Sequence, residues 1–203
     1  MYVIGITGGT GGGKTTALDA VRALGGEVLD CDEIYHRLLR EDRELLADIS
    51  AAFPGVVSDG VLDRKKLGSL VFGDPEKLEK LNRITHRSVC RECGRLLETA
   101  KAEGKTLAAI DAIGLIESGL GELCDVTAAV VAPLEDRVKR LMAREGISEE
   151  YARLRISAQK PDDWFRQHWT GTLENRGSRE EFLEACKQRF QALRLGESNP
   201  CRS

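Results

Sequence analysis

Apolar and polar residues along this chain follow two periods. Tyr2-Val3-Ile4-Gly5-Ile6 is a short apolar run, the pattern of a strand covered on both faces. The stretch from Thr15 to Leu24 then places Ala17, Leu18, Ala20, Val21 and Leu24 at helical spacing. Strand patterns fall at 2–7, 27–30, 106–111 and 127–132, with helical patterns between them. That alternation predicts an α/β fold, a parallel sheet with helices on both faces. The gap at 33–104 is mostly helical and far longer than a simple crossover needs, so it reads as a separate substrate lobe. Within it, Asp74-Pro75 reads as an N-cap followed by proline at the first helical position. Residues 133–160 read as helix–turn–helix with Ser148 as N-cap. Ser178-Arg179-Glu180-Glu181 is a capping box that opens a terminal helix to about Leu195. The tail at 196–203 is expected to fray.

Between the first strand and the first helix lies Gly8-Gly9-Thr10-Gly11-Gly12-Gly13-Lys14-Thr15. It meets the template G-x-x-x-x-G-K-[ST] at every fixed position. Glycine lets the backbone curl so that successive N–H groups, from Gly9 and Thr10 through Gly11, Gly12 and Gly13, aim at one anion. The helix N-terminus at Lys14, Thr15 and Thr16 adds favourable partial charge. Lys14 can reach β- and γ-phosphates, and the Thr15 hydroxyl can hold Mg²⁺. The chain is therefore expected to bind a nucleoside triphosphate.

Composition narrows the partners. The 203 residues suffice for one core domain plus an insertion. Thirty basic against 33 acidic residues leave a net charge of −3, with no global pull toward nucleic acid. Aromatic residues, at 5%, are too few for base-stacking platforms. No apolar run approaches the ~20 residues of a membrane span. The first residues enter a strand without a basic-then-apolar leader, so a cytoplasmic protein is expected. Its six cysteines, at 31, 90, 93, 124, 186 and 201, are then expected as reduced thiols. Cys90 and Cys93 have C-x-x-C spacing, but they fall in a helical pattern and no second such pair follows. Ordinary helix positions are therefore favoured over a zinc or redox site.

Chemistry-bearing side chains gather where strands end. Asp30-Cys31-Asp32 closes the second strand, and ligands of open α/β sheets bind beyond the carboxyl ends of strands. A carboxylate there, Asp32, can accept the proton of an attacking hydroxyl, hold a metal-bound water, or cap a helix at 33–39. Asp111 ends the third strand and can orient Mg²⁺, with Glu117 six residues further. Arg137, Lys139, Arg140, Arg144, Arg153 and Arg155 form a basic set interleaved with Glu135, Asp136, Glu145, Glu149 and Glu150. Most of that set reads as solvated ion pairs. Arg140, on one face with Arg144, is singled out as an arginine for the charge of a migrating phosphoryl group. His86 reads either as a packed helix residue or as a substrate contact.

Together these residues resemble the dephospho-CoA kinase family over nearly the whole chain. Gly5-Ile6-Thr7-Gly8-Gly9 through Lys14-Thr15 looks like the family's opening. Asp30-Cys31-Asp32 is similar to its D-A-D segment, and Asp59-Gly60-Val61-Leu62-Asp63-Arg64 to its D-G-x-L-D-R stretch. Val71-Phe72, Leu81-Asn82 and His86 resemble its V-F…L-N…H-P segment. Arg140, Arg144 and Gln159 match its lid spacing, and Asn175-Arg176-Gly177 its N-x-G loop near the adenine.

The resemblance implies a three-layer αβα P-loop core at 1–32, 105–135 and 170–195, a helical acceptor lobe at 33–104 and a helical lid at 136–169. It implies an ATP-dependent kinase acting on the ribose 3′-hydroxyl of dephospho-CoA, the last step of coenzyme A biosynthesis. ATP would lie on residues 9–16 with Arg140, Asn175 and Gly177, and Mg²⁺ on Thr15 and Asp111. Asp32, Arg64, His86 and Glu117 would meet the acceptor, with Lys14, Asp32 and Arg140 catalytic. The chain departs from the family pattern at Ile113-Gly114-Leu115-Ile116-Glu117, where P-L-L-x-E is usual. It departs again at Arg87 for proline, at Phe165 for a basic residue, and at Trp169-Thr170 for Ala-Asp. Two other readings remain open on the residues alone: a kinase of another small acceptor, such as a nucleoside or sugar acid, and a nucleotide-binding module without turnover.

Overall fold

The structure, a computed structural model, describes residues 1–112, 114–168 and 170–195. β1 (Tyr2–Gly8) leads through the glycine-rich loop into α1 (Lys14–Ala23), and β2 (Glu27–Asp30) follows. The acceptor excursion holds α2 (Cys31–Glu41), α3 (Arg43–Ala52), β3 (Val57–Ser58), β4 (Val61–Leu62), α4 (Arg64–Val71) and α5 (Pro75–Ala102). The chain returns through β5 (Leu107–Asp111), a single 3₁₀ turn at Leu120–Leu123, and β6 (Val126–Val131). It ends in α6 (Leu134–Glu145), α7 (Glu149–Ser157), α8 (Asp162–His168), β7 (Gly171–Glu174) and α9 (Arg179–Arg194).

Among the described residues the main sheet has five strands in the order β2-β5-β1-β6-β7, all paired in parallel. Side chains alternate across it. Val3, Leu29, Ile110 and Val131 pack toward α2, α3, α5 and α8. Ile4, Ile6, Ala109 and Val130 pack toward α1 and α9. Both faces are covered, which is why the strands read as near-continuous apolar runs and why three layers form. No described helix is long and apolar enough to cross a membrane.

Local signals set the helix ends. Asp74 caps α5 by accepting from the Lys77 N–H, with Pro75 opening the helix. Ser148 caps α7, and Ser178 with Glu181 forms the capping box of α9. The excursion is mostly helical, as expected, and also holds a small hairpin: β3 and β4 pair antiparallel across a turn at Asp59 and Gly60, both at positive φ (52° and 77°). Asp-Gly is the strongest short hairpin signal, so the turn was legible there. β7 went unread because it is a four-residue edge strand with no buried member. The helix expected at 33–39 runs from Cys31 to Glu41, and its cap is Asp30 rather than Asp32. The third and fourth long strands start at Leu107 and Val126 instead of residues 106 and 127. The expectation of a frayed tail at 196–203 lies outside the described residues, as do Ile113, Trp169 and Cys201.

Candidate active site

The glycine-rich loop is braced from behind. Gly13 caps α1 at φ 107°, a conformation that only glycine adopts easily. A Cβ there would also stand 2.2 Å from Asn175 Nδ2. Asn175 is buried at the end of β7, donates Nδ2 to the Gly12 carbonyl at 2.9 Å and accepts from Arg140 Nη2 at 3.1 Å. Arg140 Nη1 also donates to the Gly11 and Gly12 carbonyls at 3.3 and 3.4 Å. Arg137 Nε donates to the Thr10 carbonyl at 2.9 Å. A trans peptide points its C=O and the next N–H in opposite directions. Holding the Thr10 and Gly12 carbonyls on this side therefore turns the Gly11 and Gly13 amides the other way.

A cavity of about 640 Å³ opens in front of the loop. Residues 8–15, Arg140, Arg144, Arg155 and Gln159 line it. Glycine amides, one lysine and three arginines make a surface for a polyanion. Glu145 holds both Arg144, at 2.5 Å, and Arg155. The reading of the basic set as solvated ion pairs is right for Arg153, which pairs with Glu135 and Glu149 while partly exposed. It is wrong for Arg137, whose side chain is 6% exposed. The Arg137 guanidinium donates to Asp162 at 3.0 Å and to Gln159 Oε1 at 3.2 Å, and burial lowers its pKa against the pull of Asp162. Gln159 Oε1 in turn accepts the Thr10 N–H at 2.7 Å. One buried guanidinium thus ties α6, the α7–α8 junction and the loop together. Arg137 is three residues before Arg140, so helical spacing put it on the same face and could have flagged it.

Below the loop, carboxylates converge at the strand ends. Asp30 and Asp111 are register partners on β2 and β5, and Asp111 pairs with Ile6 of β1. Lys14 Nζ donates to Asp111 Oδ1 at 2.5 Å. Burial raises the Asp111 pKa, Asp30 and Asp32 push the same way, and the Lys14 bond opposes them. Asp30 Oδ1 accepts the Asp32 and Glu33 N–H groups, both at 3.0 Å, which frees the Asp32 carboxylate to face solvent. Thr15 and Asp111 flank Lys14 with hard oxygen donors of the kind Mg²⁺ takes.

Asp32 and His86 meet across a second cavity, of about 280 Å³, with Tyr35, Asn82 and Thr85 in its wall. Burial lowers the His86 pKa, and Glu117 counteracts this from the turn after β5. Gly114 lines the same cavity. Arg64 does not. It lines a neighbouring cavity of about 310 Å³ with His36, Arg40 and the hairpin residues Val61 and Leu62. Gly177 packs against the Glu181 carboxylate at the start of α9. Phe165, where a basic residue was expected, is buried in the core under β6, so α8 packs on the sheet there.

A five-stranded parallel sheet between helical layers, with this loop at its carboxyl edge, defines a P-loop kinase fold. The sequence pattern of the dephospho-CoA kinase family matches residues 2–181. The chain belongs to that family. It is 39% identical over 197 residues to a dephospho-CoA kinase of Dehalococcoides mccartyi, covering 96% of this chain and 98% of the relative. It is 40% identical over 185 residues to one of Thermus thermophilus, covering 91% and 88%. Among solved structures, TT1252 from Thermus thermophilus superposes with a TM-score of 0.71 at 37% identity over 98% of both chains. A shikimate kinase from Bacteroides thetaiotaomicron shares the fold alone, with a TM-score of 0.51 at 17% identity over 95% of this chain and 97% of the other.

Proposed function

We propose that this chain transfers the γ-phosphoryl group of ATP to the ribose 3′-hydroxyl of dephospho-CoA. The observation that carries the reading is the Lys14–Asp111 pair. Lys14 lines the cavity of the anion-binding loop, and Asp111 is near enough to Asp32, of the second cavity, for that carboxylate to raise its pKa. Lys14 keeps two further N–H donors for phosphate oxygens while Asp111 holds the third. Glycine amides and Arg140 neutralise the triphosphate, and Arg144 and Arg155 enclose it from α6 and α7. Thr15 and Asp111 would hold Mg²⁺, which would supply further charge neutralisation at the transferred group. Asp32 accepts the proton of the attacking hydroxyl from across the junction, and His86 orients the acceptor from α5. Arg64 lies in the adjoining basic cavity, where a longer acceptor would extend its anionic part. Asn175 serves the nucleotide indirectly, through the Gly12 carbonyl and Arg140. Five free thiols among the described residues agree with a cytoplasmic location.

The test is ADP release from Mg-ATP with and without dephospho-CoA, with the product weighed by mass spectrometry. ADP release that depends on dephospho-CoA and yields coenzyme A is expected. In protein that binds ATP, no stimulation by dephospho-CoA overturns the acceptor assignment.

A further inference from the structure

Cys31 and Cys93 are 62 positions apart in sequence, yet their sulfurs lie 3.7 Å from each other. Cys31 is the first residue of α2, and Cys93 lies deep within α5. Two other nearby thiols are engaged elsewhere. Cys90 donates to the Ser118 carbonyl at 3.2 Å, and Cys124 to the Leu120 carbonyl at 3.4 Å. Cys31 and Cys93 instead face one another inside the core. Cys93 is fully buried, whereas Cys31 reaches the wall of the Asp32–His86 cavity. A small oxidant therefore has a path to this pair.

We infer that Cys31 and Cys93 form a reversible intramolecular disulfide under peroxide, and that closing it takes Asp32 out of its working position. The first part rests on geometry alone. The second rests on the phosphotransfer reading above. One thiolate of the pair attacks the peroxide O–O bond, giving a sulfenic acid and hydroxide. The second sulfur attacks the sulfenic sulfur and expels water. Two thiols and one peroxide yield one disulfide and two waters.

A disulfide needs a sulfur separation of about 2.05 Å, so the 3.7 Å gap must close. α5 is a 28-residue helix packed against α2, α3 and α4. α2 is a shorter, 11-residue helix whose first turn is held by the two cap bonds of Asp30 and by its packing on α5. Closure therefore moves Cys31 toward Cys93 rather than the reverse. Asp32 is the next residue and moves with it. A misplacement of about 1 Å at a reacting group can cost on the order of 10²-fold in rate.

The experiment treats the reduced full chain with hydrogen peroxide, blocks remaining thiols, and maps cross-linked peptides by mass spectrometry beside a kinase assay. A peptide joining Cys31 to Cys93 is expected, together with a fall in kcat of about tenfold or more that dithiothreitol reverses. Cys93→Ser is expected to keep its activity through the same treatment. Separate oxidation of the two thiols, or pairing of either with Cys90 or Cys124, overturns the inference. So does a 31–93 cross-link that leaves kcat unchanged. Mapping needs no acceptor and no variant. A cross-link in protein that fails to phosphorylate dephospho-CoA sinks the phosphotransfer reading while the thiol pairing stands.

Discussion

Gly13 illustrates how tightly single residues are specified. Its φ of 107° and the 2.2 Å approach of Asn175 leave no room for a side chain. Gly13→Ala is expected to strain the loop by about 1–3 kcal/mol and to weaken ATP binding by roughly tenfold or more. Calorimetric titration checks this, and unchanged affinity contradicts the bracing described for the loop. His86 makes a pH-dependent prediction. Burial holds its pKa below the unfolded value of about 6.5. Just below that pH the unfolded chain binds a proton there that the folded protein does not, so stability rises with pH through the window. His86→Gln is expected to lose less thermal stability than the wild type between pH 7.5 and 5.5. Equal slopes for the two proteins contradict it. Gly13 and Lys14 were legible in the sequence because phosphate binding is local backbone chemistry. Arg137 was legible only in part: helical spacing puts it on the face of Arg140, but tertiary packing decides whether a guanidinium between acidic neighbours is solvated or buried.

Among the elements, the caps were the most legible feature. Asp74, Ser148 and Ser178 each accept the backbone N–H that their position predicts. The strands flanking the legible Asp59-Gly60 turn, and the edge strand β7, were harder to read, since two- and four-residue strands carry too little periodicity. Arg137 links α6 to the α7–α8 junction through Gln159 and Asp162, and to the loop through Thr10. Arg137→Ala removes its bonds to the Thr10 carbonyl, Gln159 and the Asp162 carboxylate and is expected to cost about 1–3 kcal/mol. It should also raise the KM for ATP more than it lowers kcat, because Gln159 then loses its anchor beside the Thr10 amide. Thermal midpoint and steady-state kinetics check the two effects. A destabilised variant with an unchanged KM contradicts the positioning role and leaves Arg137 a purely structural residue.

Over the whole molecule, the site exists because of strand order. β5 inserts between β2 and β1, which sets Asp30 beside Asp111 and brings Asp111 under Lys14, 97 positions away in sequence. Apolar runs announced the strands and their parallel sense. Nothing in a run says which neighbour it takes, so residue patterns put Asp32 and Asp111 at strand ends without showing that strand order brings Asp111 to Lys14. The same topology places Asp32 and His86, from α2 and α5, around one cavity next to the loop. The most direct test of this arrangement is the kcat of Asp32→Asn with dephospho-CoA, measured beside its dissociation constant for ATP. Loss of the base predicts a fall in kcat of roughly 10²–10⁴, with ATP affinity unchanged. A kcat close to that of the wild type contradicts the assignment of Asp32, and with it the proposed meeting of hydroxyl and phosphoryl group at the ends of β2 and β5.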